Sequence, residues 1–270
     1  MLWCTLLLIH IARISAFSCL NENGDPVDSW NAIKTPDDVS YYYYEARSES
    51  YELSPYTVNQ TTEGAIMKTT GQLYSFPDSL PFFAYGVYND EPCCGANSAS
   101  STYGHSKGVL LVNETQGFWL VHSMPKWPNG RNEGPAPFPD FTYGQSLMCV
   151  TINTETSEAL ANNLMIDRGY LYSENITSAA ATALPTMSQW IDKQHSSADS
   201  NVSAFTSSAG ASFYQFAKSK YWAKDLWDDL VAPYFHTSLN VETWRSGSGG
   251  RMSSMCGPNA TMVRWWMMRT

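Results

Sequence analysis

Short aromatic and apolar segments, each followed by turn residues, recur along the first half of the chain. The segment "SYYYYEA" at 40–46 predicts a strand, because aromatic side chains favour the pleated surface of a sheet. The segment "FFAYGVYND" at 82–90 predicts a second strand, which Asn89 and Asp90 end. The first half of the chain is therefore expected to contribute strands to a sheet.

Two further apolar runs predict a β-hairpin. They are "GVLLV" at 108–112 and "GFWLVHS" at 117–123, and the polar residues between them form the tip. A glycosylation sequon begins at Asn113 in that tip, where a sugar would stand in solvent. The segment "SLMCVTI" at 146–152 predicts another strand.

The second half alternates between helical spacing and polar connections. Leu160, Leu164 and Met165 recur at helical spacing and predict a helix that Gly169 ends. The other predictions are a long Pro/Gly-rich surface loop at 127–144, exposed connections at 173–183 and 196–212, a helix over 223–233 that ends at Pro233, and a strand at 238–244. This mixture predicts an α/β (α+β) domain with long surface loops, whose strand order does not follow from the pattern.

The N-terminus has the character of a signal peptide. Trp3 to Ile11 is mostly apolar but too short to span a bilayer, and Ser15 and Ala16 are small residues near a plausible cleavage site. We expect a signal peptide over residues 1–16, no membrane span, and a mature domain over residues 17–270.

Sequons and cysteines agree with an oxidising, extracellular compartment. The sequons are Asn59, Asn113, Asn175, Asn201 and Asn259. Without Cys4 the mature chain keeps an odd number of cysteines, so at least one lacks a partner: Cys19, Cys93, Cys94, Cys149 and Cys256. The adjacent Cys93 and Cys94 leave a vicinal bridge, external partners and reduced thiols open.

Composition and charge exclude two classes of protein. With 270 residues, 43% apolar and 15% charged, the chain can build a sizeable core and is not a disordered protein. The net charge of −9 becomes −10 without Arg13, and −10 + 4 = −6 if the four remaining histidines are protonated. A nonspecific polyanion binder is therefore excluded, and any contact with nucleic acid needs a local basic site.

The tripeptide His-Ser-Lys at 105–107 is the candidate chemistry. On a strand, side chains at i and i+2 share a face, which would place His105 and Lys107 roughly 6–7 Å apart. A phosphate fits this gap, because lysine supplies a positive charge and histidine can attack phosphorus or transfer a proton. The alternative for such a short motif is an exposed polar strand end.

The hairpin brings His122 back towards this motif. A turn centred on Thr115 places His122 opposite about residue 108, near Lys107, but a register change of one residue would reverse its face. His122 is therefore either a neighbour of the motif or a half-buried sheet residue bonded to backbone.

Blocks along almost the whole mature chain resemble the deoxyribonuclease II family, in the family's order. They are "GDPVDSW" followed by Lys34, "YNDEP", "YGHSKGVLL", "GFWLVHSMP", "YGQSLMCV", "FAKS" with "KDLWDDLVAP", and "VETW" with the later Cys256. The resemblance implies a phospholipase D-like mixed sheet flanked by helices.

The resemblance also implies a secreted or lysosomal endonuclease that cleaves DNA at acid pH without metal or cofactor. Two His-x-Lys motifs would share one site: one histidine forms a phosphohistidine, the other protonates the leaving 5′-oxygen, and water releases a 3′-phosphate end. His105 and Lys107 match the first motif as catalytic residues, and His122 matches a further histidine that binds substrate. Cys19 and Cys149 match a disulfide, whose long loop would contribute roughly 4–5 kcal/mol.

The resemblance breaks down after Cys256. The family's second His-x-Lys lies downstream of the matching cysteine, whereas this sequence has 270 − 256 = 14 further residues without one. We therefore expect an incomplete second half and a single chain whose activity is impaired, since acid–base assistance is typically worth roughly 10²–10⁴ in rate. A homodimer that brings two copies of His105 together could restore the site. The tail "RWWMMRT" resembles nothing in the family and is expected to pack on the domain.

Two alternatives to an active enzyme stay open. The chain could be a noncatalytic secreted DNA-binding or decoy protein, which would retain DNA at acid pH without cleaving it. It could also be a poorly folding product of a degenerate gene.

Overall fold

The computed structural model describes residues 16–46, 48–95, 102–239 and 241. The strands within these residues are β1 (Cys19–Leu20), β2 (Pro26–Val27), β3 (Ser29–Lys34), β4 (Ser40–Glu45), β5 (Glu52–Thr57), β6 (Phe83–Asn89), β7 (Lys107–Asn113), β8 (Gln116–His122), β9 (Gln145–Asn153), β10 (Leu171–Ile176), β11 (Ser200–Thr206) and β12 (Ser212–Lys218). The α-helices are α1 (Gly64–Ser75), α2 (Thr156–Asp167), α3 (Ser178–Ala183), α4 (Pro185–Ile191) and α5 (Ala232–Phe235).

An eight-stranded sheet carries the fold. Its strands follow the order β10-β6-β7-β8-β9-β3-β4-β5, and every ladder between them is antiparallel. Two small sheets, β1-β2 and β11-β12, accompany it. The prediction of an α/β fold in which helices flank a sheet is confirmed.

Both faces of the central strands are buried. One face packs with α1 through residues such as Val109 and Leu120, and the other packs with α2 and α4 through residues such as Leu110 and Trp190. All seven positions of β6 and of β7 are buried, which explains why "GVLLV" is a continuous apolar run rather than an alternation.

The predicted strands in the first half are confirmed to within one residue at each end. The β7–β8 hairpin is also confirmed, with Gly108 opposite Val121 and Val112 opposite Gly117. The expectation that Asn113 stands in solvent is wrong, because only 8% of the residue is exposed and its Oδ1 accepts hydrogen bonds from the backbone of the turn.

The other described sequons differ in exposure. Asn59 and Asn175 are exposed, whereas Asn201 is half-buried and its Nδ2 donates to Asn163 Oδ1 at 2.8 Å. Exposure therefore favours a sugar at Asn59 and Asn175 over one at Asn113.

The two connections predicted at 173–183 and 196–212 are wrong. The first contains most of β10, which pairs with β6 at the edge of the sheet, and α3, which the Thr177 side chain caps. The second contains β11, which pairs with β12. Their Ser- and Thr-rich composition reflects strands at the edge of the sheet and outside it, where polar side chains face water.

Two predicted helix ends are also wrong. Arg168, not Gly169, adopts the left-handed conformation after α2, and its N–H donates to Leu164 O at 2.9 Å. Pro233 does not end the last helix, because it lies in the first turn of α5, where its missing N–H costs no hydrogen bond. A π-helical segment, Trp227–Val231, precedes it.

Helix α1 has no counterpart among the predicted elements. Its sequence, "GAIMKTTGQLYS", contains two glycines and two threonines, which are poor helix formers. The helix forms because Ile66 and Leu73 pack against the sheet and because Thr69 Oγ1 accepts from Leu20 N at 2.9 Å.

The structure contains the disulfide between Cys19 and Cys149, which joins β1 to β9 with a Cα–Cα distance of 5.9 Å. Cys93 and Cys94 also form a disulfide, one of the states left open above.

Several expectations fall outside the described residues: the signal peptide up to residue 15, most of the strand at 238–244, Cys256, Asn259 and the terminal tail. Among the helices of the described part of the chain, none has the length and apolar character needed to cross a membrane.

Candidate active site

His105 and Lys107 lie where β7 begins, but they do not share a strand. Lys107 is the first residue of β7 and pairs with Asn89, the last residue of β6. His105 precedes the strand, in the connection from β6. The prediction that strand alternation aligns the two side chains is therefore wrong, although the two are brought together.

The Asp90 carboxylate brings them together. His105 Nδ1 lies 2.6 Å from Asp90 Oδ2, and Lys107 Nζ donates to Asp90 Oδ1. Because Asn89 and Lys107 face each other across the ladder, the chain that leaves β6 and the chain that enters β7 run side by side. This register puts Asp90 within reach of both side chains.

The contact changes the protonation of its members. The hydrogen bond to Asp90 raises the pKa of His105, while partial burial and Lys107 oppose the shift. Burial alone would raise the pKa of Asp90, but the hydrogen bonds and positive charges of His105 and Lys107 outweigh it, so that pKa is lowered. A protonated His105 beside an ionised Asp90 is thus favoured at moderately acid pH.

The geometry also determines which histidine nitrogen is available. With Nδ1 held by Asp90, Nε2 is the nitrogen left to meet a substrate, and the His105 side chain is 80% exposed. Lys107 is only 3% exposed, so its ammonium is shielded from solvent while the His105 ring is not.

His122 lies on the same face as Lys107. The hairpin register pairs 108 with 121, so its continuation by one residue places His122 opposite Lys107. The ring is buried, packs edge-on against Trp127 at 5.0 Å between centroids, and has no hydrogen bond of normal geometry from either nitrogen within the described residues. The role of His122 as a substrate contact stays a prediction. Its buried position opposite Lys107 favours a role in packing next to that lysine.

Burial sets the charge of His122. Desolvation, followed by repulsion from Lys107, lowers its pKa to about 3, although the nearby Met124 backbone slightly favours the protonated form. His122 is therefore neutral even at the acid pH where His105 is protonated. The pKa values of these two neighbouring histidines are thus shifted in opposite directions.

The Asn89 side chain fixes the backbone around the site through three hydrogen bonds. Its Nδ2 donates to Met124 O at 3.1 Å and to Trp127 O at 3.0 Å, and its Oδ1 accepts from Glu91 N at 2.8 Å. These bonds tie the loop after β8 to the end of β6. The backbone that carries Asp90 is therefore held from both sides.

A second carboxyl group approaches from α2. Burial raises the pKa of Asp167, and the Asp90 charge acts in the same direction, whereas Ser106 and His105 oppose the shift. A Cβ on Gly104 would lie 2.2 Å from Asp167 O, so only glycine permits this approach of the helix end to the residue before His105.

A cleft of about 530 Å³ lies at the opposite end of the sheet. Its lining extends to Gln116, at the other end of β8 from His122 and thus about 20 Å away along the strand. Among the described residues that line it, three are acidic, Asp25, Asp28 and Glu45, and none is basic. This chemistry does not suit a phosphate.

The sequence indicated His105, Lys107 and His122 but missed Asp90, Asn89 and Asp167 as members of the site. For Asp90 a signal existed: an acidic residue directly follows a predicted strand in "YNDEP". Lys34, part of a family block, is buried and donates to the carbonyls of Thr35, Phe141 and Tyr143, a structural role away from this site.

Comparison with known proteins gives a consistent result. Residues 18–266 match the family model described as Deoxyribonuclease II. The chain is 31% identical over 256 residues to Deoxyribonuclease-2-alpha of Mus musculus, covering 90% of this chain and 72% of that protein. It is 30% identical over 280 residues to Deoxyribonuclease-2 of Caenorhabditis elegans (90% and 74%) and 29% over 272 residues to Cell death-related nuclease 6 of that organism (94% and 71%).

The buried, neutral His122 should weaken the fold in acid. Its pKa is about 3 when folded and 6.5 ordinarily, so the unfolded chain binds a proton that the folded chain does not, and stability is lost as the pH falls below 6.5. The loss amounts to ~2 kcal/mol at pH 5. His122→Phe should therefore shrink the difference in unfolding free energy between pH 8 and pH 5 by that amount, measured by urea denaturation.

Each protein serves as its own reference at pH 8, so a change in packing does not affect the comparison. An unchanged difference between the two pH values would show that His122 already protonates in the folded state.

Proposed function

This chain belongs to the deoxyribonuclease II family, and we propose that it is an endonuclease that hydrolyses DNA phosphodiesters at acid pH with His105 as its reacting group. The observation that carries the proposal is the contact of His105 and Lys107 with a single carboxylate. An anionic group with two oxygens already lies between the two side chains, which supports their ability to hold a phosphate next to it.

The charge of the site favours phosphate in acid. The formal charges of Lys107, Asp90 and His105 add up to +1 − 1 + 1 = +1 when His105 is protonated and to zero when it is neutral. Because Lys107 is buried, we propose that it supplies positive potential beneath the phosphate rather than a contact from the solvent side. Protonation of His105 then switches the site from neutral to anion-binding.

The proposed reaction proceeds in two steps. A neutral imidazole attacks phosphorus through Nε2, the bond from phosphorus to the 5′-oxygen breaks, and a second, protonated imidazole gives its proton to that oxygen. Water then attacks phosphorus, the bond from phosphorus to Nε2 breaks, and the second imidazole accepts the water's proton. The product carries a 3′-phosphate, and no metal takes part.

The second imidazole is proposed to be His105 of another copy of this chain. The His122 ring is buried, which makes it a poor proton donor to DNA. The His105 side chain is largely exposed and can meet both DNA and a second chain. A two-fold axis beside His105 would place two such rings together, one neutral and one protonated.

We propose that the protein is secreted or lysosomal. The apolar N-terminal segment, the two disulfides and the exposed sequons at Asn59 and Asn175 support this location.

Replacement of His105 should abolish cleavage. We expect the wild-type protein to nick supercoiled plasmid near pH 5 in the presence of EDTA, and His105→Ala to reduce the rate by at least about 10²-fold. The nicked product should serve as a primer for a polymerase only after phosphatase treatment, because its 3′ end is phosphorylated.

His236→Asn is the matched control, since His236 is an exposed histidine at the end of α5 and lies in the left-handed region that asparagine tolerates. Equal nicking by wild type and His105→Ala would reject the proposed role. DNA retention without nicking by the wild type would support the noncatalytic alternative.

Replacement of Asp90 should move the pH profile. Asp90 raises the pKa of His105, so Asp90→Asn should lower that pKa. In the variant, His105 then loses its proton at a lower pH than in the wild type. The alkaline limb of the rate profile should therefore shift to lower pH, measured as initial nicking rate against pH. A loss of rate with both limbs unmoved would mean that Asp90 has only a structural role.

A dimeric site predicts a dependence on protein concentration. If two chains each contribute one His105, the nicking rate per chain should rise with protein concentration and level off when the dimer is saturated. Sedimentation velocity at the same concentrations should give the same midpoint. A rate per chain that stays constant while the protein sediments as a monomer would contradict the shared site.

A further inference from the structure

Three segments that are far apart in sequence meet on one surface next to His105. They are the connection before β7, the end of α2 with the start of β10, and the loops around β11 and β12. We call their shared face the Arg168 surface, and it consists of Tyr103, Arg168, Tyr170, His195, Lys220 and Tyr221. The reaction proposed above uses none of these side chains.

The surface is continuous with the site. Gly104, the residue directly before His105, donates its N–H to Arg168 O at 3.0 Å. The Tyr103 ring lies 4.9 Å from the Tyr170 ring and 6.1 Å from the His195 ring, between centroids. The rings therefore lie beside the connection that carries His105.

Arg168 is the positive centre of the surface. Its guanidinium lies 4.9 Å from the centre of the Tyr221 ring, and it forms no ion pair with any carboxylate of the described residues. Its buried Nε also has no hydrogen-bond partner there. The pKa of His195 is lowered mainly by burial and, to a smaller extent, by the positive charge of Arg168.

Tyr221 offers an aromatic group to solvent beside this charge. It is 59% exposed, and Lys220 Nζ lies 5.1 Å from its ring centre. Cations and exposed aromatic rings side by side fit a nucleic-acid strand, because the cations contact phosphates and the ring contacts a base that is not paired.

Two of the acidic groups near this surface have partners of their own. Glu174 pairs with Lys193 at 2.8 Å, and Asp225 Oδ1 accepts hydrogen bonds from the Trp227 and Asp228 backbone. Asp192 and Asp199 flank the loop that carries His195, so the positive potential is local to Arg168. A local basic site is what an acidic chain needs in order to hold DNA.

We propose that the Arg168 surface binds the single-stranded DNA segment adjacent to the phosphodiester at His105. Arg168 holds a phosphate of this segment, and Tyr221 contacts an unpaired base. The identity of the ligand rests on the proposed function, whereas the binding itself does not require cleavage.

The test measures binding without chemistry. Fluorescence anisotropy of a labelled oligothymidylate, and of a duplex of the same length, is recorded near pH 5 at several salt concentrations with the full chain carrying His105→Asn. Arg168→Gln and Tyr221→Ala are compared with controls on α1 and beside β5, Lys68→Gln and Tyr51→Ala, which remove the same charge and an exposed ring elsewhere.

We expect Arg168→Gln and Tyr221→Ala each to weaken single-strand binding about fivefold to tenfold, and the controls to leave it unchanged. Arg168→Gln should also make the slope of log affinity against log salt shallower by about 0.7. Tyr221→Ala should affect the duplex little, because its bases are paired.

Unchanged single-strand affinity in both variants would overturn the proposal, and so would equal losses in variants and controls. Tyr221 is largely exposed, so its variant remains informative if Arg168→Gln does not fold. Absence of plasmid nicking by the wild type, with the expected binding losses, would reject the enzymatic proposal and leave this surface standing.

Discussion

The Asp90 carboxylate lies between the His105 imidazole and the Lys107 ammonium, and both the geometry and the charge of the site depend on it. It holds His105 through Nδ1, which leaves Nε2 towards solvent, and it compensates the charge of a lysine that is almost fully buried. A buried ammonium without such a partner would be costly, since desolvation strongly disfavours the charged form. The same carboxylate raises the pKa of His105, so one residue sets position, tautomer and charge.

The sheet makes this contact possible. Antiparallel pairing of β6 with β7 places Asn89 opposite Lys107, and Asn89 then fixes the loop that follows β8. The apolar interiors of these strands are buried on both faces, so the polar groups gather at one strand end where water is near. The middle of each strand therefore contributes to the core, and the strand ends carry the polar groups of the site.

The two histidines of the hairpin region show how burial and charge act in opposite directions. His105 is exposed and bound to a carboxylate, so its pKa rises; His122 is buried beside Lys107, so its pKa falls to about 3. In acid the folded protein therefore gains a positive charge from the first and loses stability from the second. This loss of stability in acid arises because the uncharged His122 ring is buried beside Lys107.

Local pattern alone determined the central strands and the hairpin, because apolar runs and turn residues act over a few neighbours, whereas His105 and Lys107 were singled out by the blocks that resemble the deoxyribonuclease II family. Local pattern failed for β10 and β11, whose polar sequences become strands through pairing with β6 and β12, and for α1, which forms through packing despite its glycines and threonines. Asp90 joined the site, and His122 was buried, only through the register between strands. Register is a long-range property, set by many side chains at once, so tertiary structure decided it.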